Sequence, residues 1–242
     1  MRCEKHGIEY EQFTRYVCGS HMTFGSCPEC DHELDEENAR RDEQMIREQE
    51  VARWKRCNIE PLYFPASLEN FTANTPELEK AKAAIETLIA EKSGKLIMLG
   101  KNGTGKTHLA VCAVKALGGA IYTMYEISVR IRATYTPIAR EGEQEVVDDL
   151  SRIPLLVIDE IGRTKGSEAE ENWLSYIIDK RNSRSLPLIL ISNKHAKKTC
   201  PVSPKDGCKD CLENYITEDV MSRLCVGGKI LHFTGDDWRK KR

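Results

Sequence analysis

Short, almost wholly apolar runs recur along the chain from about residue 58 and alternate with longer segments of mixed polarity. The runs are KLIML, AIYTM, LLVI, LILIS and KILHF, at residues 95–99, 120–124, 155–158, 188–192 and 229–233. Continuous apolar runs of this length indicate strands buried on both faces, as in a parallel sheet. We predict helices between them, over residues 76–92, 106–117, 126–152 with a break near Pro137, 168–184 and 213–224. Alternating strands and helices predict an α/β fold, with a parallel five-stranded sheet between helices.

The first 57 residues have a different pattern. Residues 1–32 are rich in Cys, His and Gly, and residues 33–57 are mostly charged, with no Gly or Pro. Apolar positions in the second stretch are too sparse for a core-facing stripe, which predicts an exposed linker helix. The sequence therefore predicts three parts: a small module over 1–32, a charged linker helix over 33–57 and a larger domain over 58–242.

Composition narrows the environment of the chain. Hydrophobic residues make up 40% and charged residues 31%, and the formal net charge is -2. Such a chain is typical of a globular protein without a general basic field, so any contact with nucleic acid has to be local. No run approaches the ~18 apolar residues that a membrane helix needs, and the first residues lack the apolar core of a signal peptide. We expect a cytoplasmic protein with no membrane partner.

The most specific motif is GKNGTGKT, at residues 100–107 between a predicted strand and a predicted helix. It fits G-x-x-x-x-G-K-[ST], in which glycine backbone amides and a helix N-terminus surround an anion. Lys106 would place its charge on the β- and γ-phosphates, and the Thr107 hydroxyl would bind Mg²⁺. The sequence thus predicts a nucleoside triphosphate site. Its candidate residues are Gly100, Asn102, Gly103, Thr104, Gly105, Lys106, Thr107, His108 and Asp159.

Polar side chains follow two further strands. Asp159 and Glu160 end the run LLVIDE, and Asn193 follows LILIS. Asp159 would hold Mg²⁺, and Glu160 would polarise a water molecule against the γ-phosphate as a general base. A kinase does not need that glutamate, because its acceptor is a substrate hydroxyl. The Asp-Glu pair therefore favours ATP hydrolysis, and Asn193 would orient the attacking water.

These three motifs and their spacing resemble the P-loop AAA+ ATPases, and more narrowly the DnaC/DnaI-like helicase loaders and the IstB-like transposition helpers. The likeness runs from NIEPLYFPASLENF through LLVIDEIG and LILISN to EDVMSRL and covers most of 58–242. It implies that the first of these segments helps to enclose the adenine. It also implies that Arg223 is an arginine finger, acting on a neighbouring subunit's nucleotide within a ring or spiral of copies. The chain ends soon after its last strand, so the C-terminal helical lid of many AAA+ proteins is expected to be absent.

The segment YEISVRIRATY, residues 125–135, lies where related initiators and loaders insert helices along a path for single-stranded DNA. Arg130, Arg132 and Tyr135 offer charge and a stacking surface for that purpose. The alternative is an ordinary apolar helix face, formed by residues spaced by four, with two solvated arginines. Both interpretations stay open at this point.

Seven of the ten cysteines fall into two clusters. CEKH and CPEC form two knuckles suited to tetrahedral Zn²⁺. A segment this short has almost no core, and a bound metal can supply of order 10 kcal/mol of apparent folding free energy. The preferred ligands are Cys3, His6, Cys27 and Cys30. Cys18 and His21 form a third knuckle, so the choice of ligands stays open.

The later cluster lies in HAKKTCPVSPKDGCKDC. A second zinc there would use His195, Cys200, Cys208 and Cys211. The alternative is a loop with free thiols. Because the segment lies between Asn193 and Arg223, a metal could stiffen the presentation of the arginine. The scattered Cys57, Cys112 and Cys225 are interpreted as packing residues, and Lys115 and residues 239–242 as solvent-facing charges.

The resemblance implies an ATPase that loads a replicative, DnaB-like helicase onto single-stranded DNA, in a bacterial or phage-infected cell. It would use ATP, Mg²⁺ and Zn²⁺ and would dock on the helicase through its N-terminal zinc module. Three alternatives remain: an IstB-like helper of a transposase, an adaptor gated by ATP without hydrolysis, and a nucleotide kinase.

Overall fold

The structure of the chain is a computed structural model that describes residues 1–163, 167–200 and 208–238. Its internal contacts divide the chain into two compact units, Met1–Arg53 and Trp54–Arg242. Each unit is described by itself below. None of the helices in these ranges combines the length and apolar character that crossing a bilayer requires.

The first unit contains a hairpin and most of a long helix. Strands β1 (Phe13–Val17) and β2 (Ser20–Phe24) pair in antiparallel fashion, and helix α1 spans Pro28–Arg56. The helix begins earlier than the predicted residue 33, because Pro28 is well suited to a first helical position. Within residues 1–53, all of which the structure describes, Cys27 is the only buried residue. This unit therefore has no apolar core.

The second unit is built on five parallel strands. They are β3 (Lys95–Gly100), β4 (Ala120–Thr123), β5 (Leu156–Asp159), β6 (Leu188–Ser192) and β7 (Gly228–Phe233). Their order across the sheet is β4-β5-β6-β3-β7. β3 thus lies near the centre, and its carboxyl end adjoins that of β6. Each predicted strand is present, with bounds that differ by at most one residue.

In the part of the second unit that the structure describes, six further α-helices cover the sheet. They are α2 (Pro76–Glu91), α3 (Lys106–Leu117), α4 (Met124–Ala133), α5 (Glu143–Arg152), α6 (Glu168–Ser183) and α7 (Glu218–Cys225). Alternate residues of β3 point to opposite faces. Leu96 and Met98 join one apolar cluster with residues of α2 and α3, whereas Ile97 and Leu99 join a second with residues of α4 to α7. The predicted fold class, an α/β P-loop core with its sheet between helices, is confirmed.

The helix bounds of the second unit agree with the predictions to within two residues, except at the start of the last helix. The stretch 126–152 forms two helices, α4 and α5, separated by residues 134–142, in agreement with the break near Pro137. The predicted helix over 213–224 was wrong at its start, because residues 212–214 form a 3-10 turn and α7 begins at Glu218. The Thr217 side chain accepts a hydrogen bond from the Val220 amide, so Thr217 is the N-cap.

Two predictions about single side chains were wrong. The Lys115 ammonium lies 4.2 Å from the centre of the Trp54 ring and donates to the carbonyls of Phe64 and Ala66 at 2.7 and 2.8 Å. It therefore holds the segment before α2 rather than facing solvent. Cys225 is exposed, whereas Cys57 and Cys112 are buried as expected. Residues 239–242 lie outside the described residues.

Candidate functional site

The phosphate-binding loop joins β3 to α3. Gly105 is the N-cap of α3, with φ of 93° in the left-handed region that favours glycine. A Cβ at Gly100 would lie 2.2 Å from the carbonyl oxygen of Phe233, so a side chain there would collide with the backbone of β7. Both glycines are thus required by the backbone, and the loop leaves the first amides of α3 directed at an incoming anion.

The Lys106 side chain is held against this loop. Its ammonium donates to the carbonyls of Gly100 and Lys101 at 2.7 and 2.6 Å, and the residue is only 5% exposed. Thr104 is buried beside it and donates to the same Lys101 carbonyl at 2.9 Å. A positive charge is therefore placed where the phosphates of a nucleotide would lie.

Thr107 and Asp159 meet across the carboxyl ends of β3 and β5. Thr107 Oγ1 donates to Asp159 Oδ2 at 2.9 Å, and the Glu160 amide donates to Oδ1 at 2.6 Å. Burial raises the pKa of the Asp159 carboxyl, although these two hydrogen bonds and Lys106 oppose the rise. A hydroxyl and a half-buried carboxylate are the oxygen ligands that Mg²⁺ takes beside phosphates. This pair is the candidate magnesium site.

Glu160 has an unusual backbone for a residue other than glycine, with φ of 58°. Its carboxylate accepts a hydrogen bond from Arg163 Nη1 at 2.7 Å. The predicted general base therefore forms an ion pair with Arg163. Arg163 was not anticipated from the sequence, in which the signal was a basic residue three positions after the glutamate.

The loop opens into a cleft of about 1140 Å³. Asp159, Glu160, Asn193 and Arg163 line it at the carboxyl ends of the strands. The cleft is also lined by the predicted loop residues Asn102, Gly103, Thr104, Gly105, Lys106, Thr107 and His108. Gly100 is not among the lining residues. The structure thus brings the other predicted nucleotide-site residues to one cavity.

The wall opposite the loop comes from the segment before α2. His108 Nε2 donates to the Ser67 carbonyl at 2.9 Å, which attaches that segment to α3. The Phe71 ring lies 5.5 Å from the His108 ring, centre to centre. Tyr63 and Phe71 line the cleft, so it offers aromatic surface for a nucleotide base.

Comparison with known proteins agrees with this geometry. The family described as IstB-like ATP binding protein matches residues 11–242. The chain belongs to this family. Membership implies that the cleft binds ATP.

Individual relatives of this IstB-like chain share less than a third of its residues. The replicative helicase loader DnaC of Escherichia coli strain K12 is 28% identical over 197 residues, covering 78% of this chain and 75% of its own. A crystal structure of the DnaC helicase loader superposes with a TM-score of 0.59 at 21% identity, over 72% of this chain and 100% of the other. A crystal structure of DnaI gives 0.56 at 19% identity, over 74% and 93%. At these identities the two structures establish the fold alone, which is that of the AAA+ core.

Arg223 lies on α7 of this IstB-like core and is bound to acidic residues of its own chain. Its Nη1 forms an ion pair with Asp179, and its Nε donates to Asp219 at 2.8 Å. To act on a neighbouring subunit, the guanidinium would have to leave Asp179. The finger role stays a prediction.

The three candidate DNA-binding residues are also paired with acids. Arg130 lies 3.5 Å from Glu141 and 3.6 Å from Asp149. Arg132 lies 3.1 Å from Glu170. Because exposed ion pairs are worth about 0–1 kcal/mol, a phosphate could replace the carboxylates at little cost.

The third candidate, Tyr135, donates its hydroxyl hydrogen bond to Glu143 at 2.5 Å. The residue is nevertheless 58% exposed, which leaves it accessible to a base. The DNA contacts stay a prediction.

The N-terminal cluster comes together in the first unit. His6 Nδ1 lies 3.7, 3.6 and 3.4 Å from the sulfurs of Cys3, Cys27 and Cys30. Zn–S and Zn–N bonds of about 2.3 and 2.0–2.1 Å at tetrahedral angles place such atoms about 3.6 Å apart. The donor set and its spacing therefore fit Zn²⁺. Cys18 and His21 lie on the hairpin, and the cluster does not include them.

The other ring nitrogen of His6 has a carboxylate partner. His6 Nε2 lies 3.2 Å from Glu33 Oε1, and Lys5 donates to the same carboxylate. That Lys5 bond, together with His6, lowers the pKa of Glu33. A carboxylate behind a ligating histidine fixes its ring and its tautomer in metal sites. This partner lies in α1 and was not anticipated.

The later cluster is also assembled. The ligand atoms of His195, Cys200, Cys208 and Cys211 all lie within 4.8 Å of one another. Residues 201–207, between Cys200 and Cys208, lie outside the described residues.

Proposed function

We propose that this protein is an ATP-hydrolysing loader of a replicative helicase that acts on single-stranded DNA. The observation behind the proposal is the cleft that joins the phosphate-binding loop to Asp159 and Glu160. The curated relatives named as replicative helicase loaders support the cellular role.

Five side chains of the cleft have assigned roles in hydrolysis. Lys106 neutralises the β- and γ-phosphates, and Thr107 and Asp159 hold Mg²⁺, which balances the phosphate charge when bound. Glu160 releases Arg163 and takes the proton of the attacking water, which Asn193 orients. Transfer to a substrate hydroxyl would not need a carboxylate at Glu160, so hydrolysis is favoured over the kinase alternative.

Assembly would complete the site. Arg223 of one copy exchanges Asp179 for the γ-phosphate held by the next copy in a ring or spiral. Its guanidinium then neutralises charge on the transferred group. Hydrolysis therefore depends on protein concentration.

Single-stranded DNA would follow α4. Its phosphates replace the carboxylates that pair with Arg130 and Arg132, and a base stacks on Tyr135. Because these contacts release counterions, DNA binding weakens steeply with added salt.

The zinc module would dock on the helicase through its hairpin. Register places Phe13, Arg15, Val17, Met22 and Phe24 on one face of β1 and β2, and each is exposed. The Phe13 and Phe24 rings stack at 5.8 Å, with Arg15 5.3 Å from the Phe13 ring centre. An apolar face of this kind on a unit without a core marks an interaction surface.

The test is helicase loading onto single-stranded DNA that is coated with its binding protein, with unwinding of a downstream duplex as readout. We expect loading to require this protein and ATP. Phe13→Ser with Met22→Ser should abolish helicase binding. Tyr16→Ser is the matched control, because Tyr16 is exposed on the opposite face of the same hairpin.

Other outcomes would contradict the proposal. An intact protein that does not bind the helicase, but whose ATPase responds to duplex DNA with a transposase, would indicate an IstB-like transposition helper. Loading that persists undiminished in Glu160→Gln would indicate an adaptor gated by ATP without hydrolysis.

A further inference from the structure

The His195 cluster has the dimensions of a metal site. His195 Nε2 lies 3.2, 3.4 and 3.5 Å from the sulfurs of Cys200, Cys208 and Cys211. The separation expected around tetrahedral Zn²⁺ is about 3.6 Å, from bonds of about 2.3 Å to sulfur and 2.0–2.1 Å to nitrogen. We propose that these four residues bind a structural Zn²⁺ ion that fastens the segment after β6 to the segment before α7.

Backbone hydrogen bonds join the segment that carries His195 to the segment that carries Cys211. The His195 amide donates to the Asp210 carbonyl at 3.0 Å, and the Leu212 amide donates to the His195 carbonyl at 2.9 Å. His195 and Cys211 thus form an isolated parallel bridge. The two segments are aligned at the position of two of the ligands.

One of the sulfurs has a partner that a zinc-bound thiolate needs. The Asp210 amide donates to Cys208 Sγ at 3.3 Å, and Asn214 Nδ2 donates to the Cys208 carbonyl at 2.6 Å. Hydrogen bonds of this kind orient the ligands and stabilise their charge. They hold Cys208 in the cluster through residues that follow it in the chain.

The donor set decides which metal and which role. Three thiolates and one imidazole favour Zn²⁺ over the oxygen-loving Mg²⁺ and Ca²⁺. Four protein ligands leave no open position for water, so the site is structural and not hydrolytic. A disulfide accounts for the cluster less well, because it would use two thiols and leave the third beside an unused histidine.

The site connects two functional positions. His195 follows Asn193 by two residues, and Cys211 precedes the buried Leu212. Leu212 shares an apolar cluster with Val220 of α7. A metal here therefore sets the spacing between the end of β6 and the helix that bears Arg223.

Lys194 adds a polar link between the same segments. Its ammonium donates to Asp210 Oδ1 at 2.9 Å and to the Tyr215 hydroxyl at 3.2 Å, and lies 4.4 Å from the Tyr215 ring centre. Because an ion pair with the solvent-exposed Asp210 is weak on its own, the metal would supply most of the constraint. The site would then position Arg223 for the neighbouring subunit's nucleotide, a role that rests on the proposed function.

The test is the zinc content of the full-length protein, measured by elemental mass spectrometry after removal of loosely bound metal. The intact chain should hold two zinc ions. Cys208→Ser with Cys211→Ser should hold one, and so should Cys27→Ser with Cys30→Ser. Cys18→Ser, the matched control at an exposed cysteine, should hold two.

An intact chain with one zinc, lost only in the Cys27→Ser and Cys30→Ser variant, would overturn the proposal. This result does not depend on how the variants of the later cluster fold. As a second check, Cys208→His keeps a ligand at that position, so this variant should retain the second zinc.

The positioning role has a separate readout. Loss of the second zinc should lower turnover by assembled subunits at least about tenfold, since an arginine finger is worth 10³–10⁵ in kcat, and leave ATP affinity within about twofold. Unchanged turnover with the second zinc lost would overturn the positioning role. An intact chain with two zinc ions and no ATPase activity would overturn the proposed function while leaving the metal site in place.

Discussion

The two cysteine clusters have the same donor set, three Cys and one His, and similar distances, but their surroundings differ. The ligands of the first lie in a unit whose only buried residue within 1–53 is Cys27. In the second, the ligand Cys211 and the adjacent Leu212 are buried, and Leu212 belongs to an apolar cluster that reaches α7. One motif is found in a unit without a core and also in a unit with a large one.

The same set of ligands would therefore contribute differently to the free energy of folding in the two units. In the first unit, the proposed zinc would take the place of apolar burial, so the free energies of metal binding and folding would be nearly the same quantity. In the second unit the sheet and its helices bury the apolar residues without a metal. There the proposed zinc would fix only a local segment.

Removal of the N-terminal zinc should have the largest effect. We expect Cys27→Ser with Cys30→Ser to unfold the hairpin and the start of α1, because of order 10 kcal/mol of apparent folding free energy is lost. Hydrogen exchange should show loss of amide protection in β1 and β2. Protection that persists there would show that the first unit folds without a metal. Cys18→Ser serves as the control.

The ATP site should be independent of that module. Glu160→Gln should lower turnover about 10²–10⁴-fold, the usual contribution of a general base, with ATP binding retained. The Cys27→Ser with Cys30→Ser variant should leave basal turnover within about twofold. If its basal turnover falls as far as that of Glu160→Gln, the two units are not separable.

Loss of the second zinc should destabilise the second unit without unfolding it. A cross-link that closes a loop of about 15 residues is worth roughly 3 kcal/mol, and we expect Cys208→Ser to cost a similar amount. Thermal unfolding should show one transition at a lower Tm, with the sheet intact by circular dichroism. Complete unfolding at room temperature would mean that this metal, too, replaces a core.

The smallest effect concerns Asp159. Burial raises its pKa, so the folded state holds the proton more tightly than the unfolded state, and this carboxyl lowers stability as pH rises through the folded pKa. Asp159→Asn should therefore raise the Tm without Mg²⁺ at pH 7–8 by about 2–4 °C, the shift that about 1 kcal/mol gives a domain of this size. Stabilisation by ATP with Mg²⁺ should be lost. A lower Tm would contradict this view of the carboxyl.

Much of the second unit could be predicted from sequence. Apolar runs identify buried strands directly, and the loop motif has one structural context, so Lys106, Thr107 and Asp159 could be placed together. Polar partners could not be placed in this way. The pairing of Glu160 with Arg163 depends on the left-handed backbone at Glu160, which no pattern encodes.

The remaining misses have similar physical causes. Asp179 meets Arg223 across two helices, α6 and α7, that are distant in sequence. Lys115 looks solvent-facing by its charge alone, yet its ammonium is bound by carbonyls and the Trp54 ring. The two clusters were found because ligand spacing in sequence is a direct chemical signal, whereas Glu33 behind His6 required the start of α1 to be known.

We propose that an ATPase core and a zinc-dependent docking module act together in helicase loading. The most direct measurement is capture of the replicative helicase by the full-length protein, with ATPase activity recorded on the same samples. We predict that Cys27→Ser with Cys30→Ser abolishes capture and spares basal ATPase activity. Cys208→Ser with Cys211→Ser should retain capture. Capture that survives loss of the N-terminal zinc would contradict the account.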